Sequence, residues 1–368
     1  MIKINKISEL KYELKENPFY ADGKGGQLGD RGTISDANVM EVGEEYVILD
    51  RTLEDGEYEY KIDEKRRLDI SKQHTAQHIF SALAYNKFNL NTVGFRMAEE
   101  YTTVDLDSKA ITKDIIKELE DSVNEVISQD IRIEELIYSN EEAHKLENLR
   151  KQVKEKIKGD VRFIKIPDID ICACAGFHVE RTSEIKIFKI INYEVVKGNY
   201  TRFYFLAGDR ARKDYEQKHN ITKNLTNIFS CKTEEILEMI NKNMLEKDSL
   251  EQNYKNLLNI YAGVLAKNLE KNYQDYKGVK FIFYNEDKNI AEVIGRHIDL
   301  DNFLLISGYE NNYAFISHIV DCQKLIRNIT KNCSDIKGGG SRQKGNIKLM
   351  KNYTKEEILE IIKRGIDE

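Results

Sequence analysis

The spacing of apolar and polar positions changes several times along the chain, and each change predicts a different kind of element. Over residues 1–66 short apolar runs alternate with turn residues: Tyr46-Val47-Ile48-Leu49 reads as a strand, and Asp55-Gly56 as a turn between such runs. A small β-barrel is the expectation there. From residue 70 to 88 the period lengthens to that of a helix, with Ser71 as its cap and Ile79, Leu83 and Phe88 along one stripe. Tyr101 to Asp107 alternates like a half-buried strand, with Thr102, Val104 and Leu106 on one face, and Lys113 to Ile127 reads as an amphipathic helix. Ser139-Asn140-Glu141-Glu142 is a capping box. The helix it opens is expected to run to about Ile157 and to carry Lys145, Arg150, Lys151, Lys154, Lys156 and Lys158. Val161–Ile166, Ile185–Tyr193 and Thr201–Leu206 read as strands, so that 70–212 forms an α+β unit.

From Ile221 to about Asn272 the pattern is helical again, and Thr233 with Glu234 and Glu235 places acids at a helix start. Leu250, Tyr254, Leu257, Tyr261 and Val264 step by four and three, as in a coiled-coil seam. Such a seam fits either a helical hairpin on the same chain or dimerisation. Residues 278–368 return to an α/β rhythm, with strands at Lys280–Tyr284, Phe303–Ile306 and Tyr313–Ile316. A glycine-rich loop is predicted over Gly338–Asn346, and the last helix opens on a capping box, Thr354 to Glu357, and stops near Gly365.

Composition adds limits. A chain of 368 residues suggests two or three domains. With 57 basic and 63 acidic residues the net charge is −6, which argues against indiscriminate coating of nucleic acid but permits a local basic face. Such a face is expected near the end, where residues 321–368 hold 11 basic and 7 acidic residues. No apolar run approaches the ~18 residues of a membrane span. The start, Met1-Ile2-Lys3-Ile4-Asn5-Lys6, has no apolar signal core behind it, so a cytoplasmic location is expected. Five cysteines (172, 174, 231, 322 and 333) in such a chain point to metal ligation or plain burial before a disulfide framework.

Two stretches carry candidate chemistry. Pro18 to Gly32 holds five glycines, which let the backbone approach a partner closely. No Gly-Lys-Ser/Thr follows, so it is not a P-loop. The second is a pair of pairs, His74 with His78 and Cys174 with His178. On a helix, residues i and i+4 share a face and can grip one ion, and a glycine-containing turn can fold Cys174 and His178 onto the same centre. Imidazole and thiolate together suit zinc. A zinc protease needs Glu after the first His; Thr75 stands there. Four protein ligands leave a closed structural zinc and a hydrolytic one both open.

Taken together, the motifs resemble the alanyl-tRNA editing proteins of the AlaX type and the matching parts of alanyl-tRNA synthetase. The loop Phe19-Tyr20-Ala21-Asp22-Gly23-Lys24-Gly25-Gly26-Gln27-Leu28-Gly29-Asp30-Arg31-Gly32, His74-Thr75-Ala76-Gln77-His78, Thr92 to Met97 and Thr102 to Asp107 follow the family's order. So do Cys174-Ala175-Gly176-Phe177-His178 with Val179 to Ile185, and Gly338-Gly339-Gly340-Ser341-Arg342, which is similar to a DHHA1 signature. Phe177 and Ala175 depart from the Thr and Gly usual in the ligand turn, Lys24 interrupts the glycine run, and Ser183 replaces a Gly.

The resemblance implies an α+β chain of four parts: an N-terminal β-barrel (1–66), a two-layer zinc editing domain (67–215), a helical or coiled-coil arm (216–276) and an α/β DHHA1-like domain (277–368). It implies one zinc ion on His74, His78, Cys174 and His178, and hydrolysis of the ester of mischarged tRNA(Ala), with serine first and glycine second as the amino acid removed. Gln27, Lys24, Arg31, Gly94, Arg342 and Lys344 become candidate contacts to substrate or tRNA, and a homodimer through the arm or the DHHA1-like domain is expected. An aminoacylation domain ahead of these parts is not expected. Other functions to weigh are an RNA-binding protein with a structural zinc and a DHHA1-linked phosphoesterase, although no Asp-His-His motif is present.

Overall fold

A computed structural model describes residues 1–146, 149–153 and 159–367. The fold is mixed α+β, and the chain divides into two compact units, Met1–Asn224 and Leu225–Glu368.

The first unit begins with seven short strands: β1 (Ile2–Lys6), β2 (Lys11–Glu13), β3 (Gly32–Ile34), β4 (Ala37–Val42), β5 (Tyr46–Leu49), β6 (Gly56–Tyr58) and β7 (Tyr60–Ile62). They form one antiparallel sheet in the order β6-β1-β2-β5-β4-β3-β7. Its two edge strands are consecutive in the chain with only Glu59 between them, so the sheet curls almost into a barrel. Its core is Ile4, Tyr12, Leu14, Phe19, Ile34, Val47 and Leu49. Between β2 and β3 the glycine-rich stretch folds as a tight loop. Gly23, Gly25 and Gly26 have positive φ, and a Cβ on Gly29 would meet the Tyr20 carbonyl at 2.7 Å, so these glycines are needed by the loop's own shape.

The helix α1 (Glu64–Phe88) follows directly. It starts six residues earlier than the apolar stripe suggests. The cap is Asp63, whose carboxylate accepts from the backbone N–H of Lys65 and Arg66. Ser71 lies inside the helix and donates to the Arg67 carbonyl. From Ile70 to Ala84 every residue of α1 is buried, which explains why no clean polar face marks it.

Strands β8 (Thr92–Met97) and β9 (Thr102–Leu106) come next, then α2 (Lys113–Ser128), β10 (Glu134–Tyr138), α3 (Asn140–Lys145), β11 (Val161–Ile166), β12 (Asp170–Ala173), β13 (Phe188–Val196) and β14 (Tyr200–Ala207). Two antiparallel sheets result, β13-β14-β9-β8 and β10-β11-β12. Helices α1 and α2 pack with the four-stranded sheet around Phe80, Leu119, Val123, Phe188, Phe203 and Phe205. The capping box at Ser139 forms, with Glu142 reaching back to the Ser139 N–H. However, α3 ends at Lys145, because Leu146 turns to an extended conformation so that it, Leu149 and Val153 can pack on Phe163. The rest of the long helix expected there, with Lys154, Lys156, Ile157 and Lys158, lies outside the described residues.

The helix α4 (Asp209–Phe229) leads out of the first unit. The second unit contains α5 (Ile236–Lys271), β15 (Gln274–Tyr276), β16 (Val279–Tyr284), α6 (Lys288–Val293), β17 (Leu304–Tyr309), β18 (Asn312–Ile316), α7 (Cys322–Asn332), β19 (Ile336–Gly340), β20 (Lys344–Leu349) and α8 (Lys355–Asp367). Its sheet runs β15-β16-β17-β18-β20-β19, and α7 and α8 cover one face through Leu325, Ile326, Ile329, Ile358 and Ile362. The glycines from 338 to 345 are mostly strand, not loop: Gly338 pairs with Ile347 and Gly340 with Gly345, leaving Ser341–Gln343 as the turn. A Cβ on Gly340 would meet the Lys344 carbonyl at 2.4 Å, so the pairing itself requires glycine there. Leu250, Tyr254, Leu257, Tyr261 and Val264 on α5 are between 53% and 68% exposed, so the described residues leave that seam uncovered.

Candidate metal centre

Within the first unit, α1 supplies His74 and His78 one turn apart, and the turn after β12 supplies Cys174 and His178. The four donor atoms all lie within 4.8 Å of one another. Cys174 Sγ is 3.5 Å from His74 Nε2 and 3.4 Å from His178 Nε2. Ligands placed tetrahedrally around one zinc at the usual Zn–N and Zn–S lengths lie roughly 3.5 Å apart. The donor set therefore fits a single zinc ion.

His74 and His178 are each oriented by a partner on the nitrogen that faces away from Cys174. The Phe177 N–H donates to Gln27 Oε1 at 3.0 Å, which fixes that atom as the oxygen. His74 Nδ1 lies 2.8 Å from the same oxygen, so Nδ1 carries the proton and Nε2 presents a lone pair to the centre. His178 Nδ1 lies 3.1 Å from Thr75 Oγ1, which also accepts from the Val179 N–H at 3.2 Å. His78 Nδ1 faces Asp170 Oδ2 at 3.6 Å. Such outer partners set the tautomer and basicity of histidine ligands.

The turn itself is held tightly. Arg162 on β11 donates to the carbonyls of Cys174 and Gly176 at 3.0 and 2.9 Å and pairs with Glu135. The Gly176 N–H donates to Cys174 Sγ. A Cβ at Gly176 would lie 2.2 Å from His74 Cε1, so only glycine lets the turn close over the helix. Phe177, where the turn leaves the family pattern, packs on Tyr20 with ring centroids 4.7 Å apart, and the Arg67 guanidinium lies over its ring, 4.7 Å from the centroid. Arg67 is in turn fixed by the fully buried Asp30. Phe95 stacks on His74 at 5.5 Å.

Electrostatics match a metal-binding thiolate. Burial would raise the Cys174 thiol, but the imidazoles of His178, His74 and His78 around it outweigh burial and hold its pKa down to about 2. Burial pushes His74 down and takes His178 down to about 3, keeping both neutral. Burial also opposes charge on His78, yet Asp170 and Cys174 raise it to about 9. A divalent ion bound there would compete with the proton that Asp170 and Cys174 favour on His78.

The family model described as the threonyl and alanyl tRNA synthetase second additional domain matches residues 161–204, from β11 through the ligand turn and into β14. The alanyl-tRNA editing protein Aarsd1 of Bos taurus is 31% identical over 280 residues, covering 74% of this chain and 62% of the bovine protein. Its counterpart from Mus musculus is 28% identical, covering 81% of this chain and 74% of the mouse protein. This chain belongs to the alanyl-tRNA editing family. The alanine–tRNA ligase of Rickettsia akari is 27% identical over 79% of the chain, but only 33% of that longer protein is matched.

Of the other residues that editing-family motifs single out, only Gln27 reaches the cluster, through its contacts to His74 and Phe177. Lys24 is exposed on the loop, with Nζ 5.7 Å from the Tyr20 ring centroid. Arg31 is occupied in holding the loop, with its guanidinium on Asp22 and the Asp30 carbonyl. Gly94 lines a separate cavity of about 320 Å³ with Arg96, Tyr101, Asp105, Arg202 and Tyr204. Arg342 and Lys344 belong to the second unit. Lys344 lines a cavity of about 930 Å³ together with Lys288, Lys337 and Lys348, whereas Arg342 is exposed in the hairpin turn. Asp170, Thr75, Arg162 and Arg150 were not legible as site residues: Thr75 acts on a histidine 103 positions away, Asp170 is remote in sequence from His78, and Arg150 and Arg162 act through Asp170 and the turn carbonyls, which no local motif marks. No helix among the described residues is long and apolar enough to cross a membrane.

Proposed function

We propose that this chain hydrolyses the ester between a wrong amino acid and tRNA(Ala), serine first and glycine second, with one zinc ion on His74, His78, Cys174 and His178. The convergence of those four donors within 4.8 Å, in a chain of the editing family, carries the reading. When bound, the zinc supplies positive charge that can polarise a water or hold the substrate's amine. The chain's own residues shape the rest. Gln27 fixes His74 through Oε1, and its Nε2, buried with no hydrogen-bond partner among the described residues, is a donor beside the ligands. Tyr20, whose pKa burial and the neighbouring Cys174 push up to about 12, remains a neutral phenol. In the reaction a water oxygen adds to the ester carbonyl, the bond to the terminal ribose oxygen breaks, and that oxygen leaves with a proton.

In this reading the segments 1–66 and 67–215 form the hydrolytic part, 216–276 the arm and 277–368 the DHHA1-like part. The lysine-lined cavity of the second unit is suited to RNA phosphates. The exposed seam on α5 is suited to a second copy.

Four protein ligands also favour a second reading, an RNA-binding protein with a closed structural zinc. The decisive assay is deacylation of Ser-tRNA(Ala), Gly-tRNA(Ala) and Ala-tRNA(Ala) by zinc-loaded protein, with Cys174→Ala alongside. Loss of seryl and glycyl ester is expected with the alanyl ester spared. A Cys174→Ala protein that stays folded and binds tRNA but no longer deacylates removes the structural-zinc reading, and rates at the buffer background for all three esters sink the hydrolase.

A further inference from the structure

His78 stands between two sets of donors. On one edge are His74, Cys174 and His178; on the other, Asp170 and Cys172 bring their donor atoms within 4.8 Å of His78 and of each other. The cause lies in the strand. Asp170 and Cys172 are two apart on β12 and point to the same face. Cys174 continues that spacing just past the strand. A metal ion at His78 therefore has a choice. The second set offers a carboxylate and a thiol, both acceptable to zinc, and all three of its residues are buried.

Arg150 bears on that choice. Its Nε lies 3.2 Å from Asp170 Oδ1 and its Nη2 2.9 Å from Oδ2, so both carboxylate oxygens are engaged. The pair is buried, with Arg150 at 12% and Asp170 at 3% side-chain exposure. Leu149 and Val153 on either side of Arg150 are packed against Phe163 and Val161, which ties the guanidinium in place. Asp170 meets His78 at Nδ1. His78 Nδ1 has no hydrogen-bond partner within normal range among the described residues, so the 3.6 Å approach of Asp170 is what orients the ring.

The geometry points to a guarded site: Asp170 positions His78 for the main cluster, and Arg150 keeps that carboxylate from becoming a ligand, so that the ion is not drawn into the set of His78, Asp170 and Cys172. This rests on the proposed metal reading of the main cluster. In it Asp170 is a positioning residue, and Cys172 is a thiol denied a metal.

The test uses the full chain with zinc and with Co2+ as a spectroscopic probe. Asp170→Asn is expected to weaken zinc binding about 10- to 100-fold in competition with a chromophoric chelator, and Asp170→Glu to recover part of it. In Co2+-loaded protein, Cys174→Ser should abolish the thiolate-to-cobalt absorption. Adding Arg150→Met should bring such a band back through Cys172, and adding Cys172→Ser should remove it again. Zinc affinity unchanged by Asp170→Asn overturns the positioning role, and this holds even if Arg150→Met fails to fold. A folded Arg150→Met, Cys174→Ser protein with no thiolate band overturns the guard. If the wild-type chain itself binds Co2+ without a thiolate band, the main cluster is not the metal site and the failure lies in the proposed function instead.

Discussion

Replacing Gln27 by Leu tests whether the glycine-rich loop is part of the metal centre or only near it. Gln27 Oε1 accepts two hydrogen bonds, from Phe177 N–H at 3.0 Å and from His74 Nδ1–H at 2.8 Å. Leucine keeps the bulk and removes both acceptors. The two losses act on different states. The Phe177 N–H is orphaned with or without metal; an unmet buried donor costs ~1–3 kcal/mol, and Phe177 is partly exposed, so the low end applies. For the first unit, Met1–Asn224, melting by itself, that is a fall of about 2–4 °C in Tm for the metal-free form. The His74 tautomer matters only when Nε2 must present its lone pair to a metal. Its loss should lower zinc affinity about 10- to 100-fold, or roughly 1.4–2.8 kcal/mol. Thermal melts of metal-free protein read the first effect, and chelator competition reads the second. Gln27→Glu, which retains an acceptor oxygen for both donors, should bind zinc within a few-fold of wild type. A Gln27→Leu protein that holds zinc as tightly as wild type would refute the tautomer argument.

Two further outcomes follow from the second unit. Leu257 on α5 is exposed in the single chain, so Leu257→Glu should leave monomer stability within about 0.5 kcal/mol while turning a sedimenting dimer into a monomer at micromolar concentration; wild-type protein that sediments only as a monomer removes the arm as a pairing surface. Changing both Arg342 and Lys344 to Ala should weaken tRNA binding and flatten the slope of log affinity against log salt by about 1.4–1.8, and an unchanged slope places phosphate contact elsewhere.

The four clustered donors were legible in the sequence because each pair is local: a helix brings i and i+4 together, and a short glycine turn does the same for Cys174 and His178. What orients them was not, because Gln27, Thr75 and Asp170 act on histidines 47, 103 and 92 positions away, respectively. Boundaries failed where polar residues carry the structure. The start of α1 was hidden since Glu64 to Arg67 continue no apolar stripe, and the carboxylate of Asp63 sets the end. The helix after Ser139 was overextended because its lysines are good helix formers, whereas Leu146, Leu149 and Val153 gain more by packing on β11. The C-terminal glycines looked like a loop by propensity, but a hairpin with backbone this close admits little else at Gly340.

The distances along the chain also impose an order on the site's assembly. The contacts that define it join residues 100 positions apart for His74 and Cys174, and 150 apart for Gln27 and Phe177. During synthesis at ~5–20 residues per second, α1 is therefore complete for about 5–20 seconds before Cys174 is made. Through that interval the two helix histidines can offer an ion only half a shell. On the proposed metal reading, capture in the cell is a late event, timed by the arrival of the turn that carries Cys174 and His178, and a pause in translation between the two pairs would lengthen the period in which that half-site is open to whatever ion is at hand.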